Sequence, residues 1–374
     1  MCQPREDSAA HETVRGTAYG THFEGRLPAA FADHLLPAGT DVEGGTHVEG
    51  GTDVDGGTDA AKVARRLRVT YQRVDDVAET EPLWESEPGG ADTPGRFTLE
   101  RLDGGFRLLA WGAERGVFDV RPDRIGVRWA DGGGGGSTGP GGAAAHAFFA
   151  YTVPLWLESV GVPVLHGSAV VVDGRAVGLV APSGTGKSVL CAELVRRGAG
   201  FLADDGLAIE PGPDGRWLCL AGPPLLRLWP SGLRDRLEMA AQDLPRVYEQ
   251  GDKRRLTAER LGAESAGGGT DAGQAPPPAS VPLAALYFLH RRAAGPPGLE
   301  VARRSPREAL VHLIEHGVAA APAAALGLAP HRLERLAEVA EAVPARHLSF
   351  AGGGDSATEI LARVHHDLAR APEG

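Results

Sequence analysis

The sequence predicts an α/β domain standing behind a small β-rich domain and a disordered N-terminal tail. Three observations carry that reading. A glycine-rich stretch, APSGTGKS from Ala181 to Ser188, lies between a β-branched run and a helical pattern; short alternating runs crowd residues 61 to 130; and the first sixty residues are polar and rich in glycine.

Residues 1–60 read as a disordered low-complexity tail. The hexapeptides GTDVEG, GTHVEG and GTDVDG repeat from Gly39 to Gly56. Repeats without large apolar residues bury no core, so a flexible tail is expected rather than a β-helix. Over 61–130, the runs LRVTYQRV, FTLERL, FRLLAW and DRIGVRW alternate in character, as the strands of a small antiparallel domain do. A Gly-rich linker is expected over 131–143. The apolar stretch Ala143 to Leu157 is too short to span a bilayer and contains Pro154, so a core helix is expected there.

Residues 144–374 make up the larger domain. AVVVDGRAVGLV reads as two strands joined at Asp173-Gly174, an Asp-Gly hairpin turn. The second strand runs into APSGTGKS. KSVLCAELVRRG then reads as a helix, with Val189, Leu190, Leu194 and Val195 near one face and Gly198 just past the end. A further flexible insertion is expected over 262–280, and strands and helices resume after it.

Ala181, Pro182, Ser183, Gly184, Thr185, Gly186, Lys187 and Ser188 approach the pattern G-x-x-x-x-G-K-[ST]. In that pattern backbone N–H groups wrap a β-phosphate, lysine meets the β/γ oxygens and the hydroxyl serves Mg²⁺. Ala181 replaces the first glycine, which is tolerable where that position needs no positive φ. Lysine is scarce, at Lys62, Lys187 and Lys253 only, and one of the three falls where a compact ammonium is wanted. The chain contains no asparagine, which excludes the catalytic loop of eukaryotic-type protein kinases.

GFLADDG, Gly200 to Gly206, reads as a short strand ending in two carboxylates soon after Lys187. One crossover would bring that strand into an open parallel sheet, with Asp204 and Asp205 at its carboxyl end beside the loop. Both face the crevice only if the strand stops there, which Gly206 allows. One carboxylate can then hold Mg²⁺ through water while the other accepts a proton from an attacking hydroxyl. Upstream, LHGSAV places His166 at the head of the first hairpin strand.

In the order and spacing of histidine, loop and aspartate pair, LHGSAVVVDGRAVGLVAPSGTGKS through ELVRRGAGFLADD resembles the catalytic core of the bacterial HPr kinase/phosphorylase family. It resembles still more the stand-alone HPr-kinase-related serine kinases, whose later elements PLLRLWPSGL, DKRRL, PLAALYFL and VPARHLSF look like. The resemblance implies a P-loop HPr kinase-like (PEP carboxykinase-like) fold using ATP and Mg²⁺. It implies His166 near the γ-phosphate, Lys187 on the phosphates, Ser188 on Mg²⁺, Asp205 as base and Asp204 as its metal-side neighbour. Arg227 and Lys253 become phosphate contacts, a serine-containing protein or peptide becomes the acceptor, and a homo-oligomer is allowed. The sequence departs from the family at Val189, where glutamate usually follows the serine, and shows no glycine-containing loop with a second metal-binding glutamate.

Other classes fit less well. A net charge of −11, with no basic cluster interleaved with aromatics, argues against nucleic acid as a partner. Cys2, Cys191 and Cys219 have no metal or redox spacing, and no apolar leader or membrane segment is read, so a reducing cytoplasm is expected. HLIEH, His312 to His316, matches the zinc motif H-x-x-E-H, but surface histidines on a helix are its ordinary reading. Two further readings stand beside the protein kinase: a nucleotide-binding regulatory module that transfers nothing, and a small-molecule kinase acting on free serine.

Overall fold

A computed structural model describes residues 12–36, 65–74, 76–78, 81–87, 95–112, 114–130, 142–247, 251–265, 278–292, 298–351 and 356–370. They form a mixed α/β protein with two large sheets. The expected linker over 131–143 falls outside the described residues apart from its last two, and the expected insertion over 262–280 does so in its middle.

The first sheet holds β1 (Glu12–Ala18), β2 (Thr21–Leu27), β3 (Arg65–Arg73), β4 (Trp84–Glu85), β5 (Arg96–Leu102), β6 (Gly105–Trp111), β7 (Arg115–Val120) and β8 (Arg124–Ala130), in the order β1-β2-β3-β8-β7-β6-β5-β4. Its membership corrects the expectation of disorder across 1–60. Val14, Ala18, Tyr19, Phe23, Leu27 and Phe31 are all buried. Val14 and Ala18 on β1 and Phe23 and Leu27 on β2 are spaced at strand period, and with Tyr19 and Phe31 they bury the apolar surface that the neighbouring repeats lack. Averaged composition hid them. Residues 1–11 and 37–60 of the expected tail lie outside the described residues. The sheet is also not purely antiparallel, because β2 pairs parallel with β3 and β3 parallel with β8.

Helix α1 (Gly142–Ala147), a π-helical turn (Phe148–Thr152) and α2 (Val153–Ser159) make one buried segment against this sheet. Phe148 meets Phe23 and Phe31 at ring-centroid distances of 6.0 and 5.4 Å. The first core thus runs across the expected boundary at residue 144, since apolar packing drew this helix to the β sheet.

The second sheet is built from β9 (Val164–Leu165), β10 (Gly167–Val172), β11 (Arg175–Val180), β12 (Gly200–Ala203), β13 (Leu207–Pro211) and β14 (Trp217–Leu220). A separate ribbon pairs β15 (Leu225–Leu228) with β16 (Arg254–Thr257). β17 (Ser280–Arg292), β18 (Leu299–Arg303) and β19 (Ala345–Ala351) complete the large sheet. Its order is β12-β10-β11-β17-β14-β13-β9, with β19 beside β17 and β18 beside β19. Helices lie on both faces. α3 (Lys187–Arg196), α4 (Pro230–Leu237), α5 (Ala258–Ser265) and α9 (Ser356–Ala369) pack on one. α6 (Pro306–Glu315) and α8 (Ala329–Ala342) pack on the other, with α7 (Ala320–Ala325) between them in the chain.

β10 and β11 pair from Gly167↔Val180 to Val172↔Arg175, around the expected turn. Asp173 and Gly174 both take positive φ, 52° and 71°, as a tight two-residue hairpin requires. The crossover departs from expectation. β12 lies beyond β10 and pairs with it antiparallel, rather than beside β11 in a parallel sheet. With β10 between them, β11 and β12 still run the same way, so their carboxyl ends meet at one edge. The other edge of the hairpin, along β11, is taken by β17 in parallel pairing, so β12 lies on the β10 side.

Candidate functional site

The loop from Ala181 to Ser188 leaves β11 at that edge and turns into α3. Ala181 is buried and is absent from the residues with positive φ, so the missing glycine costs nothing there. Gly184 and Gly186 do take the left-handed region, at φ 80° and 96°. Gly186 caps α3 without a side-chain hydrogen bond. The first N–H groups of the helix therefore face the loop's mouth without a capping side chain, the arrangement that suits an anion. Thr185 Oγ1 donates to Pro182 O at 2.9 Å, and Lys187 Nζ donates to the carbonyls of Ala181 and Pro182 at 2.7 and 3.0 Å. Burial draws the Lys187 ammonium down to about 8, against the pull of Asp204 and Asp205. Val189 packs on α4, its Cγ2 only 2.6 Å from where a Cβ on Gly232 would stand.

Asp204 is buried. It accepts from Ser168 Oγ at 2.6 Å and from the Arg227 backbone N–H at 3.2 Å, and it is hydrogen-bonded to Ser188. Burial raises its pKa and the neighbouring Asp205 adds to that, while these donors oppose it. Asp205 is a third exposed at its side chain. Burial acts to raise its pKa too, but Arg227, then His166 and Lys253, outweigh it and hold the carboxyl far below the usual range. The Arg227 guanidinium pairs directly with Asp205 Oδ2. It is Asp205, at φ 68°, and not Gly206, that breaks the strand.

His166 stands between β9 and β10, its Nδ1 3.5 Å from Asp205 Oδ1 and 3.3 Å from Asp205 O. Burial lowers its pKa, with Asp205 opposing. Its position is fixed from both sides. Its N–H donates to His316 O at 2.6 Å, and Glu158 of α2 accepts both the Val164 N–H at 3.0 Å and Arg332 Nε of α8 at 3.1 Å. Lys253 lies over Trp229, Nζ 5.4 Å from the ring centroid, and acts electrostatically on both Asp205 and Lys187. The structure thus gathers His166, Lys187, Ser188, Asp204, Asp205, Arg227 and Lys253 around one strand edge.

Four neighbours escaped the sequence reading. Ser168 had a usable signal, since it follows His166 by two residues in a run read as one strand, where such a spacing shares a side. Tyr19 had a fainter one, in the alternation around it. It sits at the β1–β2 turn, its N–H donating to Ala221 O at 2.6 Å, and a Cβ on Gly206 would lie 2.7 Å from its Oη. Burial pushes that phenol well above its ordinary range. His34 and His146 had none. Burial draws the His34 imidazole down to about 3, Arg227 adding to the effect, and His146 is lowered for the same reasons. Asp33, next to His34 in the 3₁₀ turn Ala29–His34 that follows β2, reaches Arg255 Nη1 at 3.3 Å, so that turn touches the ribbon that carries Arg227.

No family model matches the chain, and no curated protein matches it. Among solved structures, the HPr(Ser) kinase/phosphatase from Coxiella burnetii is similar over 56% of this chain and 99% of that one, at a TM-score of 0.31 and 12% identity. A likeness that slight fixes neither a family nor a chemistry. Among the described residues, no helix is long and apolar enough to cross a membrane.

Proposed function

We propose that the protein is a kinase of the HPr kinase-like type, transferring the γ-phosphoryl group of ATP to a serine hydroxyl of a protein or peptide in the cytoplasm. The observation that carries this reading is the meeting of an uncapped helix terminus and its lysine with two aspartates of opposed electrostatics. In it the amides of 183–188 and Lys187 hold the phosphates, Lys187 exchanging its bonds to Ala181 O and Pro182 O for phosphate oxygens. Ser188 and Asp204, hydrogen-bonded to each other, offer the hard oxygen donors that suit Mg²⁺. Bound there, Mg²⁺ would neutralise charge on the β and γ oxygens.

Asp205 orients the acceptor hydroxyl and takes its proton. A carboxylate of such low proton affinity is a weak base, yet phosphoryl transfer through a loose transition state asks for the proton late, once the attacking oxygen has become acidic. Arg227 leaves Asp205 for the transferring phosphoryl group, which raises the carboxylate's basicity at that moment. His166 and Lys253 add positive charge beside the same group. The test is incubation with γ-labelled ATP and a panel of HPr, serine peptides encoded nearby, and free serine. Label on a protein or peptide is the expected result. Label on free serine alone would make it a small-molecule kinase, and nucleotide binding without any transfer would leave a regulatory module.

A further inference from the structure

The zinc-like motif of the sequence takes on geometry in α6. His312, Glu315 and His316 stand one helical turn apart, on one face, and their ligating atoms all lie within 4.8 Å of one another. His312 Nδ1 is 3.4 Å from Glu315 Oε2. The two imidazoles are stacked, 6.4 Å between centroids and 3° between planes, so both present their nitrogens to the same space.

This face is held before any ion arrives. Ser305 and Glu308 form a capping box at the start of α6, Pro306 opens its first turn, and Ala309 and Leu313, buried beside the two histidines, anchor the helix to the sheet. The His312 ring lies on Phe288 of β17 at 4.6 Å, which limits its rotamers. The His316 carbonyl is pinned by the His166 N–H.

We propose that His312, Glu315 and His316 bind a divalent transition metal of the zinc class, reversibly and with one coordination position left open. Two imidazoles and a carboxylate favour Zn²⁺, Ni²⁺ or Cu²⁺ over Mg²⁺ and Ca²⁺, which want oxygen alone. The motif glutamate is itself a ligand here. No separate general base remains, and among the described residues no further His, Cys, Asp or Glu joins the group, so the arrangement binds without hydrolysing peptides. The site is independent of the kinase reading. Its neighbour is His166, one hydrogen bond away, so an ion on α6 would sit beside the loop's chemistry without belonging to it.

The experiment is titration of the full chain with Zn²⁺ in the absence of nucleotide and Mg²⁺, followed by calorimetry and, with Co²⁺ as substitute, by visible absorption. One equivalent is expected to bind in the micromolar range, untouched by excess Mg²⁺. Co²⁺ should give no thiolate charge-transfer band, because both described cysteines are buried away in the core. His312→Ala and Glu315→Ala should each weaken binding by about tenfold or more, since changes even outside the ligand shell can cost that much. Both side chains are partly or well exposed, so melting should not move. Zinc uptake that is unchanged in both variants, or displaced by Mg²⁺, would overturn the proposal, as would no uptake at all.

Discussion

The loop at 181–188 and the aspartate pair at 204–205 face each other across one strand edge, yet they are held in opposite ways. Pro182, Ser183 and Gly184 are exposed, and the loop's polar contacts are mostly to itself. Asp204 is buried and bound to three chain segments at once, through Ser168, Ser188 and Arg227. A group whose hydrogen bonds lie ready for a ligand can be altered at the expense of function alone; one whose bonds are already spent on the fold cannot. Lys187 is the loop's exception, a buried ammonium waiting on carbonyls.

The sharpest break should come from Lys187→Ala. Turnover should fall by about a hundredfold or more, as loss of a preorganised charge contact typically entails, with little loss of melting temperature. pH separates the two effects. Because the folded pKa, about 8, lies below the ordinary 10.5, the unfolded chain holds the extra proton between them. Stability contributed by this residue therefore rises with pH through that window, while ATP affinity falls as the ammonium is lost. Lys187→Met should abolish both trends, measured by melting and nucleotide titration from pH 7 to 10; retained trends would assign them elsewhere.

Next come the carboxylates. Asp205→Asn should keep the fold, since asparagine is at home at positive φ, and should keep Mg·ATP binding while transfer collapses. Asp204→Asn should instead lose about 1–3 kcal/mol of stability, because an amide cannot accept from three donors as a carboxylate does, and should demand more Mg²⁺. Denaturant melts beside single-turnover transfer distinguish them. Identical profiles would mean the pair acts as one unit.

The smallest effect tests whether the comparison extends to the first sheet. Tyr19→Phe keeps the ring and removes the oxygen that lies against Gly206. A loss of about 1 kcal/mol, or about fivefold in transfer, is expected if that oxygen steadies the Asp205 turn. Equal rates for Tyr19→Phe and the native chain would reduce Tyr19 to packing.

Contiguous features were legible and assembled ones were not. The hairpin at Asp173-Gly174, the loop and α3 each follow from residues adjacent in sequence, whose φ preferences and periodicity act locally. The place of β12 beyond β10 does not, because strand order depends on β17, distant in sequence, which occupies the β11 edge. Tyr19, His34 and His146 reach the site only through tertiary packing of the first sheet, and no local pattern marks the two histidines. The disorder expected near the N-terminus failed for a related reason. A flanking repeat swamped two short strands whose register, Glu12↔Leu27 to Ala18↔Thr21, buries the four apolar side chains Val14, Ala18, Phe23 and Leu27.

The bond from His166 to the His316 carbonyl joins residues that leave the ribosome far apart in time. Synthesis runs from the N-terminus, and domains settle as their last elements emerge. A growing chain therefore displays its loop, its lysine and both aspartates well before α6 exists to brace the histidine between them. Ribosome-held chains halted ahead of residue 306 should bind nucleotide poorly and transfer nothing, whereas chains released past α9 should do both. On the proposed kinase reading, transfer then waits on the folding of α6, long after the loop and the aspartates have been made.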